Sequence, residues 1–451
     1  MMSSTLLRPN GPLLAITLVF LGVSISRAET PCAPPATVGH WAGTMTRNTA
    51  SIPIEFDFTC VDAKLAASFT SVTQRAMEYP FDSTKQVGDQ VDLVLGGEIH
   101  WSGRFDHSTL NGTFKDEDGS GTFALHRTAS PQFPYSMTGV VFRNGPVSLS
   151  GTLHIPRGKG PHPAIVMLQG SGPETRWGAN RFWADYFGRR GIACLIYDKR
   201  GTGKSTGDWK TSDFNALADD ALAGVRLLLS QTGIDPKKIG IHGHSQGASI
   251  APLVASKSES VAFVLADAAS GIPMWQAEIF SQQSGARHSG LSSRDVASAE
   301  KFIERAVQVE RSGIGYDALR SEYKAEQQSG AAWIQGIPLP PEDSYFIRFF
   351  PTIANYNPAD YWKLIHVPVL IVEAGEDERV PVAPSVAAIQ QALSENGNPD
   401  FTIVVFPQAS HTLVNGSRAG EPFHWSRITP GYADLLTSWV LYRESRSIVD
   451  R

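Results

Sequence analysis

Ile239-Gly240-Ile241-His242-Gly243-His244-Ser245-Gln246-Gly247, followed by Ala248-Ser249-Ile250-Ala251, decides how the chain is read. An apolar run of strand length ends in Gly-x-Ser-x-Gly, and a helix-forming segment begins at once. A serine at such a turn must adopt a strained backbone; glycines on either side relieve the crowding while the hydroxyl projects above a sheet. Ser245 is therefore the candidate nucleophile, and the N–H of Gln246, the first amide after it, a candidate donor to a developing oxyanion. A serine hydroxyl attacks poorly at neutral pH, so it needs a base, and the base needs a third group to fix its tautomer. His411, in Pro407-Gln408-Ala409-Ser410-His411-Thr412-Leu413, lies on a loop after an apolar strand, where open parallel sheets build their sites. His242 and His244, neighbours at the elbow, have no third ligand nearby and read as packing residues.

From Thr138 onward, apolar runs of strand length alternate with amphipathic segments of helix length, the mark of βαβ units and a mostly parallel sheet. Strands are expected near 147–155, 164–169, 192–198, 238–242, 262–266, 369–373 and 401–406, with helices near 181–189, 214–229, 245–255, 384–393 and 432–442. Almost a hundred residues separate Ala269 from Val367, far more than one loop and helix require, so a cap is expected there. Val296, Ala299, Ile303, Ala306 and Val307 form a helical stripe that Ser292 can cap and Gly313 can end. Residues 38–126 differ: short alternating runs such as Ile54-Glu55-Phe56-Asp57-Phe58 are broken by Gly, Asn and Asp, and a Gly-Thr-Phe element repeats at Gly112 and Gly121. About eight antiparallel strands, forming a small barrel or sandwich, are expected. No chemistry is expected of them, although a ligand of this domain is left open. The expected division is an export signal at 1–28, a β-domain at 36–128, a linker at 129–137, an α/β core at 138–270 and 367–451, and a cap at 271–366.

At Glu373-Ala374-Gly375-Glu376-Asp377-Glu378-Arg379-Val380-Pro381 the chain resembles the α/β-hydrolase fold family, whose acid commonly stands in Asp-x-x-Val-Pro after this strand. The resemblance implies Asp377 as the acid, with Asp267, ending the preceding strand, as the alternative. It extends from about Thr138 to the C-terminus, and Ser245, Asp377 and His411 follow the family's order of nucleophile, acid and histidine. One departure stands out: a glycine is usual three residues before the acid, and here Ala374 holds that place with Gly375 next. The resemblance also puts a second oxyanion donor in Gln169-Gly170-Ser171-Gly172-Pro173, with Ser171 N–H first and Gly170 second. Asp198-Lys199-Arg200-Gly201-Thr202-Gly203-Lys204-Ser205 fails as a phosphate loop, because position 198 is not glycine; it is similar to a rim turn of the same family.

Composition narrows the rest. Apolar residues at 42% and charged residues at 18% describe a globular chain, and a net charge of −5 offers no broad basic field for nucleic acid. Leu13–Val23, bounded by Arg8 and Ser26-Arg27-Ala28, is too short to span a bilayer and reads as a cleaved export signal, with a periplasmic or secreted destination and no membrane span afterwards. Three cysteines cannot make a four-ligand zinc site; Cys194 reads as a buried thiol, and whether Cys32 pairs with Cys60 stays open. The expected activity is cleavage of small carboxylic esters through an acyl-enzyme, without metal or organic cofactor. The rivals are an aminopeptidase or amidase of the prolyl-aminopeptidase-like group, with Glu342 and Asp343 as candidate cap carboxylates, and an inert binding protein.

Overall fold

The computed structural model describes residues 32, 36–417 and 420–449; the expected export signal lies outside them. Residues 39–128 fold into one nine-stranded antiparallel sheet in the order Ala76–Pro80, Lys64–Ser71, Ala50–Val61, Gly39–Arg47, Gly119–Thr128, Thr109–Asp116, Ile99–Asp106, Gln90–Leu95 and Ser83–Val87. The last strand, Gly119–Thr128, lies at the centre and pairs with the first. Of the two expected forms the barrel-like one is realised, as a curled half-barrel around Trp41, Phe56, Phe58, Phe69, Trp101, Phe114 and Phe123. Period-2 alternation puts Ile54, Phe56 and Phe58 inside. The Gly-Thr-Phe repeat has a steric cause. Phe114 faces Gly121 across the hairpin and Phe123 faces Gly112, and a Cβ on Gly121 would stand 2.3 Å from the Phe114 ring. Cys32 and Cys60 are joined by a disulfide, and Cys194 is buried and free.

The second sheet has eight strands in the order Tyr135–Asn144, Val147–Pro156, Ala193–Tyr197, His162–Leu168, Ile234–His244, Phe263–Asp267, Val369–Ala374 and Phe401–Phe406. The first two form an antiparallel hairpin, Val147–Pro156 runs antiparallel to Ala193–Tyr197, and the remainder is parallel. Tyr135–Asn144 was not among the expected strands, and it begins inside the expected linker. Ala164, Val166 and Leu168 face a core shared with the helices Phe214–Leu229, Gln246–Ser256 and Val382–Glu395; Ile165 and Met167 face the opposite one, with Ala179–Gly188 and Tyr432–Val449. After His162–Leu168 the chain moves to one side of that strand, and it returns on the other with Ile234–His244. The carboxyl ends of these two strands thus form a topological switch point, where such sheets leave a crevice.

Between Phe263–Asp267 and Val369–Ala374 run the helices Met274–His288, Ser293–Ser312 and Tyr316–Ser329, then shorter turns. Ser292 caps the middle helix by accepting from Asp295 N–H, and Gly313 ends it in the left-handed region. Ala299, Ile303, Ala306 and Val307 of its stripe pack with Phe302, Leu319 and Trp333 into a cap core. Later in the insertion, Phe350 and Trp362 join the main core, with Tyr356 and Tyr361 packed against it, and Tyr356 Oη donates to Ser249 O at 2.8 Å. Among the described residues no helix is long and apolar enough to cross a membrane.

The half-barrel is fastened to the α/β region through the strand Ala76–Pro80 and, further off, through Ala50. Met77 and Gly178 exchange backbone hydrogen bonds of 3.2 and 2.9 Å, and Glu78 pairs at 2.8 Å with the buried Arg181. Elsewhere Trp425 Nε1 donates to Ala50 O at 2.9 Å, beneath the Arg47 guanidinium. Arg181 Nη1 also donates to Tyr135 Oη at 3.1 Å, but Glu78 is the carboxylate that balances its charge. Removing one partner leaves a buried charge without compensation, so Glu78→Ala is expected to destabilise the chain by about 3 kcal/mol; urea unfolding followed by tryptophan fluorescence measures it.

Candidate active site

Ser245 sits at the junction of Ile234–His244 and Gln246–Ser256 with φ 56° and ψ −116°, a conformation that costs a non-glycine residue roughly 1–3 kcal/mol. Its N–H donates to Asp267 O at 2.9 Å, which fixes the elbow to the neighbouring strand. The flanking glycines are required by contact: a Cβ on Gly243 would lie 2.3 Å from the Gly247 backbone, and one on Gly247 would lie 2.8 Å from Leu168 O.

The structure brings Ser245, His411 and Asp377 together. Ser245 Oγ lies 2.9 Å from His411 Nε2, and His411 Nδ1 donates to Asp377 Oδ2 at 2.7 Å. The other carboxylate oxygen, Oδ1, accepts from the N–H groups of Arg379 and Val380 at 2.7 and 2.8 Å, so Oδ2 remains for the imidazole. The histidine loop is held by Ser410 N–H to Val414 O at 3.1 Å and Leu413 N–H to Ser410 O at 2.8 Å. The displaced glycine before the acid also has a reason. A Cβ on Gly375 would lie 2.5 Å from Pro407 O, so glycine is needed where the acid loop crosses the histidine loop, one residue later than usual.

Asp267, the alternative acid, does not meet His411. It is fully buried, accepts from His242 Nε2, and accepts from Tyr432 Oη at 2.6 Å. His242 packs edge-on against Trp183 and Phe187, in line with its expected packing role. His244 lies with its ring 5.2 Å from that of His411; burial, and then the charges of Arg75, His411 and His242, push its pKa well below the ordinary histidine value, which keeps it neutral. Glu373 is buried near Asp377 and accepts from Ala269 N–H. Burial and the Asp377 charge raise its carboxyl well above the usual range.

The N–H groups of Gln246 and Ser171 donate to no other described residue, whereas Gly170 N–H is already engaged by Glu174 Oε2 at 2.9 Å. Lys199, placed by its turn at the structural rim, reaches further in than expected. Its Nζ donates to Gly170 O at 2.8 Å, Gly172 O at 3.2 Å and Gln246 Oε1 at 2.9 Å, tying the glycine loop to the elbow. Burial lowers this ammonium to about 8. The rest of the turn is structural: Asp198 is forked by Arg176, and Arg200 is forked onto Asp220.

A cavity of about 230 Å³ opens beside Ser245 and His411, lined also by His244, Ser171, Trp183 and Arg75. Arg75 belongs to the half-barrel, in which no chemistry was expected. Its local sequence, Val72-Thr73-Gln74-Arg75-Ala76, carries no motif, because only the packing of the two sheets brings it here. Among the described residues no group of three or more His, Cys, Asp or Glu is arranged to hold a metal ion. Glu342 and Asp343 do not line this cavity; Glu342 is exposed and lies 3.8 Å from Arg320.

A mostly parallel sheet, covered by helices on both faces and bearing a serine elbow at its switch point, defines the α/β class of hydrolase-like scaffolds. The chain belongs to the alpha/beta hydrolase family, whose model matches residues 165–424. It is similar to Esterase EstD of Thermotoga maritima, 24% identical over 303 residues that cover 65% of each chain. It is also similar to the quorum-quenching protein AidA of Acinetobacter baumannii, 26% identical over 263 residues, covering 58% of this chain and 84% of that one. The chain thus spans just under two thirds of EstD. Among solved structures, an esterase of Pyrococcus furiosus matches with 18% identity and a TM-score of 0.42, over 63% of this chain and 88% of that one.

Proposed function

We propose that this protein is an exported serine esterase acting through an acyl-enzyme. Ser245 Oγ attacks the acyl carbon while His411 Nε2 takes its proton; Asp377 holds the imidazole in the Nδ1–H tautomer and stabilises its cation. The tetrahedral oxyanion is received by the N–H groups of Gln246 and Ser171, with Lys199 holding their two segments together. His411 then gives its proton to the departing alkoxide, and in the second half it activates the water that frees the acid. The observation that carries this reading is the continuous path from Ser245 through His411 to Asp377, at 2.9 and 2.7 Å. The name of the EstD relative supports an ester as substrate, and the Cys32–Cys60 bond supports passage through an oxidising compartment.

The test is a panel of p-nitrophenyl acyl esters set against aminoacyl p-nitroanilides, with fluorophosphonate labelling of the folded protein. Ester turnover with the label on Ser245 is the expected result. Faster cleavage of the anilides would place the chain with the aminopeptidases, and folded protein that takes up no label would count for an inert binding protein.

A further inference from the structure

We propose that the N-terminal half-barrel completes the substrate pocket, and that Arg75 selects acyl esters carrying a carboxylate at the far end of a short acyl chain. The inference rests on the esterase reading and names its substrate class. Arg75 ends a short turn between the strands Lys64–Ser71 and Ala76–Pro80 in the left-handed region, with φ 59°. It is only 8% exposed and lines the same cavity as Ser245 and His411. The strand that follows it is the one fastened to Gly178 and Arg181, so the guanidinium is placed by the contact that joins the two sheets.

The other charged groups around this cavity each have a hydrogen-bond partner of their own. Asp267 is taken by His242 and Tyr432, Asp377 by His411, and Glu174 by Gly170 N–H with the Lys199 ammonium nearby. Arg75 lies near enough to Tyr432 for its charge to act on the phenol, but among the described residues no carboxylate forms an ion pair with it. A buried guanidinium without an anion is costly, and its planar fork suits a carboxylate bidentately. The ligand that balances it is therefore an anion reaching in from the reacting centre. A cavity of about 230 Å³ is small for a binding site, which limits the acyl chain to a few carbons.

The test compares p-nitrophenyl hydrogen glutarate with p-nitrophenyl pentanoate, equal in acyl length and differing in the terminal charge. The wild-type chain is expected to prefer the glutarate ester in kcat/KM. Arg75→Gln is expected to lower the glutarate-to-pentanoate ratio by about a hundredfold, in the range for removing one partner of a buried charged pair, and Arg75→Lys to restore part of it. A wild-type chain that cleaves the pentanoate ester as well as the glutarate, or an Arg75→Gln chain with an unchanged ratio, overturns the proposal; the wild-type comparison decides even where the variant does not fold. If neither ester is cleaved, the esterase reading fails by itself. Calorimetric titration with glutarate then still judges Arg75: binding by wild type that Arg75→Gln abolishes supports the anion site, and no binding by wild type overturns it.

Discussion

Replacing Ser245 by alanine is expected to lower kcat on esters by about 10⁵ to 10⁶-fold while leaving the fold intact, because the side chain is the nucleophile and the backbone strain of the elbow is maintained by Gly243, Gly247 and the bond from Ser245 N–H to Asp267 O. The companion measurement separates mechanism from mere loss. In a relay that works as a unit, removing any second member after the first costs little more, so Ser245→Ala and the double variant with His411→Ala are expected to be nearly equally slow. Residual rates well above the uncatalysed reaction should persist in both, supplied by the oxyanion donors and by substrate positioning. Two independent losses that multiplied would mean that His411 acts somewhere other than on Ser245. Burst kinetics with p-nitrophenyl esters in the wild-type chain would report the acyl-enzyme directly.

Much of the site was legible because its parts are local. The elbow is written in nine consecutive residues, since a strand, two contact-limited glycines and a helix start must adjoin for a serine to adopt φ 56°. The histidine loop was legible for a similar reason: the strand Phe401–Phe406 ended where expected, and the loop after it necessarily emerges at the carboxyl edge. The acid was harder. Asp267 and Asp377 both follow apolar strands, and only the Val380-Pro381 resemblance chose between them; the deciding fact, that Asp267 is bound by His242 and Tyr432, depends on a residue 165 positions away. The strand Tyr135–Asn144 was missed because it is an edge strand with one exposed face and Gly139 in its middle, so its alternation is weak. Arg75 was illegible in principle. Its place in the cavity follows from bonds between Met77 and Gly178 and between Glu78 and Arg181, about a hundred residues apart, and no local pattern encodes such a contact.

The two carboxylates make opposite predictions, and that contrast is the strongest check on the proposed relay. Asp377→Asn keeps the size of the side chain and leaves an oxygen free to accept from Arg379 and Val380 N–H, as Oδ1 does now. Its amide NH₂ would then face His411 Nδ1, so the ring would turn to its other tautomer, with a hydrogen on Nε2 directed at Ser245 and no base left to receive the serine proton. A kcat loss of about 10⁴ is expected, with KM and the unfolding midpoint changed far less. Asp267→Asn acts elsewhere. Its carboxylate is fully buried and accepts from both His242 and Tyr432, so neutralising it disrupts a buried network beneath the elbow. The cost, on the order of 3 kcal/mol, should fall on stability. Circular dichroism melts and ester kinetics on the same two preparations measure both quantities. A stable Asp377→Asn chain with near-normal kcat, paired with a well-folded Asp267→Asn chain that had lost turnover, would reassign the acid to the neighbouring strand.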